Sequence, residues 1–156
     1  MLTALSFRQP WAWVTIHLGK TLDNRRWETD FRGEFLIYAS KSMTKADYYG
    51  CMDTCRDILG TSVLSKFPPL KALPRGGIVG AARLASVLPR CPTWPCEHPW
   101  HMPDPDCPPK TQFGFMLERV RPSPRFVPCD GPRFVSRDVT IGFFNVSPAV
   151  AAALRP

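Results

Sequence analysis

Lys20, Asp23 and Arg25 stand in the pattern Lys-x-x-Asp-x-Arg, which brings a cation, a carboxylate and a guanidinium within six residues. On an extended stretch Asp23 and Arg25 point to the same side, because side chains alternate along a strand. All three charges can then face one pocket. In a hydrolytic reaction Lys20 would stabilise an oxyanion while Asp23 positions water. A proton-abstracting lysine is disfavoured, since the neighbouring carboxylate holds the ammonium in its charged form. The same residues equally suit an ion pair of Asp23 with Arg25 or Lys20 that fixes the strand's entry. Gln9, ahead of Pro10, adds an amide at a helix start, where it can read a base edge while helix N–H groups meet an anion.

A second constellation is Cys91, Cys96, His98, His101 and Cys107, spaced C-x4-C-x-H-x2-H-x5-C. Zinc takes four N or S ligands in a tetrahedron, and a loop poor in apolar residues gains order from a metal clip. The alternative is free Cys and His in a loop divided by prolines, with no cofactor at all. Cys51 and Cys55 lie one helical turn apart, which suits a metal pair or, given Tyr48, Met52 and Leu59 at matching spacing, an ordinary core face. No Gly-rich phosphate loop, H-E-x-x-H helix or G-x-S-x-G elbow is present, so the nucleotide-hydrolase, zinc-protease and serine-hydrolase classes have no support.

Trp11, Trp27 and Trp100 are each either core residues or platforms for an unstacked base. Trp11 shares a helical face with Val14 and Leu18, which favours core, whereas Trp100 sits on the proline-rich loop and is the better stacking candidate. Arg8, Arg25, Arg26, Arg32 and Lys41 cluster around the same segments, with Ser40 beside them. Such a group can track a phosphate backbone or be a solvated face.

The elements that must position these residues follow from periodicity and punctuation. Leu2 to Phe7 reads as a strand, Pro10 to Leu18 as a short helix stopped by Gly19, and Asn24 to Trp27 as a strand leading to the turn at Arg32-Gly33. Gly33 to Ser40 is a core strand. Ser42 is the expected N-cap of an amphipathic helix over 43–59, ending at Gly60. Gly77 to Leu88, Phe113 to Glu118, Arg125 to Val127 and Thr140 to Val146 complete the strands, and Ser147-Pro148 opens a terminal helix. Between them Pro89 to Pro109 carries eight prolines in 21 residues, a density that neither helix nor ladder tolerates. The pattern gives one α+β domain with a curved or closed sheet of about five to seven strands.

The chain has 156 residues, 20 Lys and Arg against 13 Asp and Glu, and a net charge of +7. The excess attracts polyanions, nucleic acid first among them, or simply maintains solubility. No apolar run approaches the roughly 18 residues of a membrane span, and no export signal is apparent. A cytoplasmic protein that does not enter membranes is expected, with its six cysteines reduced and no disulfide framework.

Three segments carry a family resemblance: Leu5-Ser6-Phe7-Arg8-Gln9-Pro10-Trp11-Ala12, Gly19-Lys20-Thr21-Leu22-Asp23-Asn24-Arg25-Arg26-Trp27 and Arg32-Gly33-Glu34-Phe35-Leu36-Ile37-Tyr38-Ala39-Ser40-Lys41. In this order the chain resembles the ASCH domain family, relatives of the PUA RNA-binding domains. Gly77-Ile78-Val79-Gly80, Trp100, Phe113 to Glu118 and Val127 to Gly131 extend the resemblance over most of its length. It implies a small PUA-like β-barrel with peripheral helices, a single domain over 1–156 with a loop insertion at about 89–110. It further implies a cleft lined by Gln9, Lys20, Asp23 and Arg25, with Trp11, Arg26, Ser40 and Lys41 around it and Trp100 on the flap. The ligand would be RNA, single-stranded nucleic acid or a nucleoside-like molecule. The rival implication is a hydrolase, either an N4-acetylcytidine amidohydrolase or a ribonuclease, with Lys20 and Asp23 as catalytic groups. Asp23 stands where the acetylcytidine branch has its threonine nucleophile.

Overall fold

Thr3–Phe7 forms the first strand (β1) and is buried along almost its whole length, which places it in the middle of the molecule. The computed structural model describes residues 2–92, 96–106, 108, 111–132 and 142–155. After β1 come α1 (Trp11–His17), β2 (Leu22–Arg25), β3 (Gly33–Ala39), α2 (Lys45–Leu59), two 3-10 turns (Thr61–Lys66 and Leu70–Ala72), β4 (Gly77–Pro89), β5 (Phe113–Pro128), β6 (Phe143–Asn145) and α3 (Pro148–Ala153).

The six strands make one mixed sheet in the order β2-β5-β4-β3-β1-β6. β1 and β3 run parallel, with Leu5 opposite Ile37, and every other pair is antiparallel. The architecture is thus α+β, with few helices. The expected barrel is not what the ladder forms: among the described residues nothing pairs β2 with β6, and the sheet ends at these two short edges. The curvature is nonetheless strong. Trp27 lies 5.0 Å from Phe115 of β5 and 6.0 Å from Phe143 of β6, edge-on to both rings, so aromatic packing bridges the two ends of the sheet. Phe31 and Phe35 also pack on Phe143. Trp27 is therefore a packing residue, the core alternative of its two readings.

Inside the curl sit Leu5, Phe7, Phe35, Ile37, Ala82, Leu84, Phe115 and Leu117, apolar positions that alternate along their strands. A second cluster lies between α1, α2 and β2, built on Val14, Leu22, Cys51, Cys55, Val63, Phe67 and Trp100. Among the described residues no helix is long and apolar enough to cross a membrane.

Several boundaries differ from the sequence expectation, each for a local reason. The cap of α2 is Thr44, two residues beyond Ser42: its hydroxyl accepts from the Asp47 N–H and the Asp47 carboxylate accepts from the Thr44 N–H, a reciprocal capping box. The buried face of α2 is Tyr48, Cys51 and Cys55, while Leu59 is exposed. β2 pairs with β5, with Asp23 opposite Phe115, and has no ladder to β3. The expected break between Phe113 to Glu118 and Arg125 to Val127 is absent. β5 runs through Pro122 and Pro124 because β2 covers only its first residues, so the prolines fall where β5 has β4 alone as a neighbour. Register shifts along β4 accommodate the irregularity. Gly19, at φ +70°, turns the chain out of α1 towards Lys20. The last strand begins at Phe143 among the described residues; Thr140 and Ile141, its expected start, lie outside them.

Candidate functional site

Lys20 follows the end of α1 and Asp23 and Arg25 lie on β2, so a helix end and a strand deliver the three charges to one place. Arg25 donates through Nε to Asp23 Oδ2 at 2.5 Å, and Lys20 Nζ donates to Asp23 Oδ1 at 3.2 Å. Lys20 also donates to the Leu22 carbonyl, and Arg25 to the Ser6 carbonyl on β1. The Arg25 guanidinium lies over the Phe7 ring, 4.8 Å from its centroid, and the Lys20 ammonium is 5.4 Å from that of Trp11. Lys20 is only 3% exposed. Burial by itself would push the Asp23 carboxyl up, but the charges of Arg25 and Lys20 and their hydrogen bonds hold it below its usual range. Two cations share one carboxylate, so the triad keeps a net positive charge.

Arg25 also faces outward, onto a hollow of about 210 Å³ that it shares with Arg26, Arg90, Asn24, His101 and Gln112. Its remaining wall includes Asp104, which pairs with Arg26 at 2.8 Å. Arg90, at the junction of β4 and the proline-rich loop, differs from its neighbours. Its Nε is buried without a hydrogen bond, and among the described residues it has no ion-pair partner. Arg90 escapes sequence reasoning because it stands alone between Pro89 and Cys91. The only hint was a cation placed where a strand gives way to a loop.

The other expected cleft residues are not brought to this hollow. Gln9 is fully buried: its amide donates to the Pro74 carbonyl and accepts from the Trp13 N–H, tying α1 to the segment before β4, and it borders a different depression with Trp13, His17 and Phe126. Buried and bonded at both its nitrogen and its oxygen, the amide holds backbone rather than facing the hollow. Trp11 is half-buried against the second core cluster. Ser40 continues β3 by donating its N–H to the Phe7 carbonyl, and exposed Lys41 stands 4.0 Å from Asp130 beside a further hollow. Arg8 pairs with Asp47, and Arg32 donates to the Thr29 and Phe31 carbonyls. The basic group therefore does not form one continuous track.

Trp100 requires the largest correction. The better stacking candidate of the three tryptophans by sequence, it is 3% exposed and packs into the second core cluster with Leu22 and Val14, the core alternative of its two readings. The loop folds back on β2, where the Asn24 amide donates to the Trp100 carbonyl and accepts from the Met102 N–H. A long proline-rich segment needs an anchor, and the largest aromatic side chain supplies it.

The loop's cysteines also depart from expectation. Cys91 and Cys96 form a disulfide with Cα atoms 5.9 Å apart, while Cys51, Cys55 and Cys129 are free thiols. The expectation of uniformly reduced thiols therefore fails at this pair. The sulfurs and a His101 ring nitrogen lie within 4.8 Å of one another. His98 is committed elsewhere: Nδ1 accepts from the Trp100 N–H, which leaves Nε2 protonated towards the Thr21 hydroxyl at 3.2 Å. Burial keeps both imidazoles below their usual value, and the Lys20 charge adds to this at His98. Cys107 lies outside the described residues. Cys51 and Cys55 hydrogen-bond to each other inside the core, which together with burial pushes the Cys51 thiol up.

No family model matches the chain, and no curated protein matches it significantly.

Proposed function

We propose that the protein is an ASCH-like, PUA-related cytoplasmic domain that binds RNA or a nucleotide-like ligand, with a phosphate held in the hollow between Arg25, Arg26 and Arg90. The observation that carries this reading is Arg90, a guanidinium with a buried, unsatisfied Nε and no carboxylate partner among the described residues, facing the same space as two further arginines. An unpaired buried donor is costly, and an anion supplies what it lacks. Asn24 and Gln112 add amide-bearing walls. At about 210 Å³ the hollow is below the size of pockets that enclose drug-sized molecules, so it suits one phosphate or one base, with the rest of a strand outside.

Hydrolysis receives less support from the same geometry. Lys20 is engaged by the Leu22 carbonyl and by Asp23, and Asp23 is engaged by two cations, so neither is poised as base or nucleophile. Binding of a short single-stranded RNA and of cytidine monophosphate, followed by fluorescence anisotropy and competition, tests the proposal. Arg90→Ala should weaken both about tenfold, the value of one charge-assisted contact. Equal affinity of folded Arg90→Ala and the parent would remove the hollow as the site. Mass spectrometry of the RNA and of N4-acetylcytidine after incubation reports hydrolysis directly, and turnover in either would replace the binding reading with the enzymatic one.

A further inference from the structure

We infer that Cys91, Cys96 and His101 form a zinc site that fastens the proline-rich loop to the end of β4. Their three donor atoms, from three points along the loop, already lie within 4.8 Å of one another. In a tetrahedral zinc site with bonds of about 2.0 to 2.3 Å, neighbouring ligand atoms stand roughly 3.8 Å apart, so the two bonded sulfurs part on reduction while the imidazole closes by at most about one ångström.

The imidazole separates this reading from a disulfide alone. A disulfide has no use for a third donor, yet His101 is only 8% exposed and its ring lies beside the pair, with no hydrogen bond reaching it among the described residues. An imidazole nitrogen beside two cysteine sulfurs is a ready metal donor, and coordination gives it a partner. The backbone around His101 is fixed in advance, because Asn24 holds the peptide groups on both its sides and Trp100 is locked in the core. His98, although a nearer neighbour of Cys96 in sequence, is excluded by its two hydrogen bonds. Two sulfurs and an imidazole select zinc over magnesium or calcium, which prefer oxygen.

The disulfide and the metal site are two states of one pair. In the metal-binding state two molecules of a small cellular thiol are oxidised to their own disulfide, the Cys91–Cys96 bond breaks, and each cysteine gains a hydrogen. Zinc then binds the two thiolates and releases both protons to solvent.

The full chain, reduced with excess small thiol and exchanged into chelator-free, oxygen-free buffer, is titrated with Zn²⁺ and separately with Co²⁺. Alkylation and mass measurement confirm that Cys91 and Cys96 are reduced. One equivalent of zinc should be retained, and cobalt should produce thiolate-to-metal charge-transfer absorption together with the visible bands of a tetrahedral site. His101→Ala should weaken metal affinity at least about tenfold, while Cys51→Ser, in a separate thiol pair, should not change it. Should a cysteine variant fail to fold, the wild-type cobalt spectrum and the His101→Ala titration decide. Reduced wild-type protein that takes up neither metal, or binds both as tightly when His101 is alanine, would overturn the site.

Discussion

Asn24 holds His101 in place without touching its ring: one amide accepts from the peptide after His101 and donates to the peptide before it, at 3.1 and 2.8 Å. A residue of β2 thus fixes the backbone of the proline-rich loop. Asn24→Ala removes both bonds and should cost about 1 to 3 kcal/mol in urea unfolding. Limited proteolysis read by mass spectrometry should show faster cleavage within residues 96–106. Unchanged stability and an equally resistant loop would mean that other contacts anchor the segment.

Trp100 supplies the apolar half of the same anchor. Trp100→Ala should destabilise the fold by about 3 to 5 kcal/mol, whereas Trp100→Phe should fold and retain RNA affinity within a factor of about two. Loss of affinity in a folded Trp100→Phe protein, measured by anisotropy, would return this residue to base stacking.

Asp23 is expected to make stability depend on acid. Its folded carboxyl titrates below the ordinary range, so its contribution is present above the unfolded value of about 3.9 and is lost as the pH falls from there through the folded value. Asp23→Asn leaves Lys20 and Arg25 buried without a counter-charge and should cost about 3 kcal/mol or more at neutral pH. The difference between the two proteins should shrink in acid. Urea midpoints at neutral pH and near pH 3 measure both effects, and a gap that does not narrow would show that Asp23 is not the titrating group.

Arg25 and Arg90 should separate in their behaviour. Arg25 serves both the triad and the hollow, so Arg25→Ala should lose stability and RNA affinity together. Arg90→Ala should lose affinity alone, and its salt dependence should fall by about one unit of slope for a single phosphate contact. Thermal unfolding and anisotropy at several salt concentrations distinguish these outcomes. A salt slope unchanged by Arg90→Ala would place the phosphate elsewhere.

Gly80 marks a close approach of β4 to β5. A Cβ there would stand 2.6 Å from the Arg121 carbonyl oxygen and 2.7 Å from the Ile16 side chain. Gly80→Ala should cost about 1 to 3 kcal/mol, and a fully stable variant would show that the strands can part without penalty.

Much of this arrangement was legible in the chain itself. The strand and helix series, the alternation that sets Asp23 beside Arg25, the stop at Gly19 and the cap at Ser147 all rest on local rules, and local rules act within a few residues. What escaped depended on distant partners. Trp100 reads as exposed because its neighbours in sequence are polar and proline-rich, and only the return of the loop onto β2 gives it a core. Pro122 and Pro124 read as a break because local propensity cannot reveal which flank of β5 is unpaired. Gln9 reads as a ligand because nothing nearby shows that Pro74 will accept its amide. Arg90 was invisible for the same reason, since an arginine becomes informative only when its missing partner is noticed.

The pairing of β1 with β6 sets a schedule for the chain's synthesis. Thr3 lies opposite Asn145 and Leu5 opposite Phe143, so β1 is synthesised long before its partner β6. At elongation speeds of about 5 to 20 residues per second, that delay is on the order of ten seconds. During it one edge of β1 stands open and the aromatic group around Trp27 lacks Phe143. Residues 1–132 alone should therefore be prone to edge-to-edge association, which the arrival of three residues brings to an end.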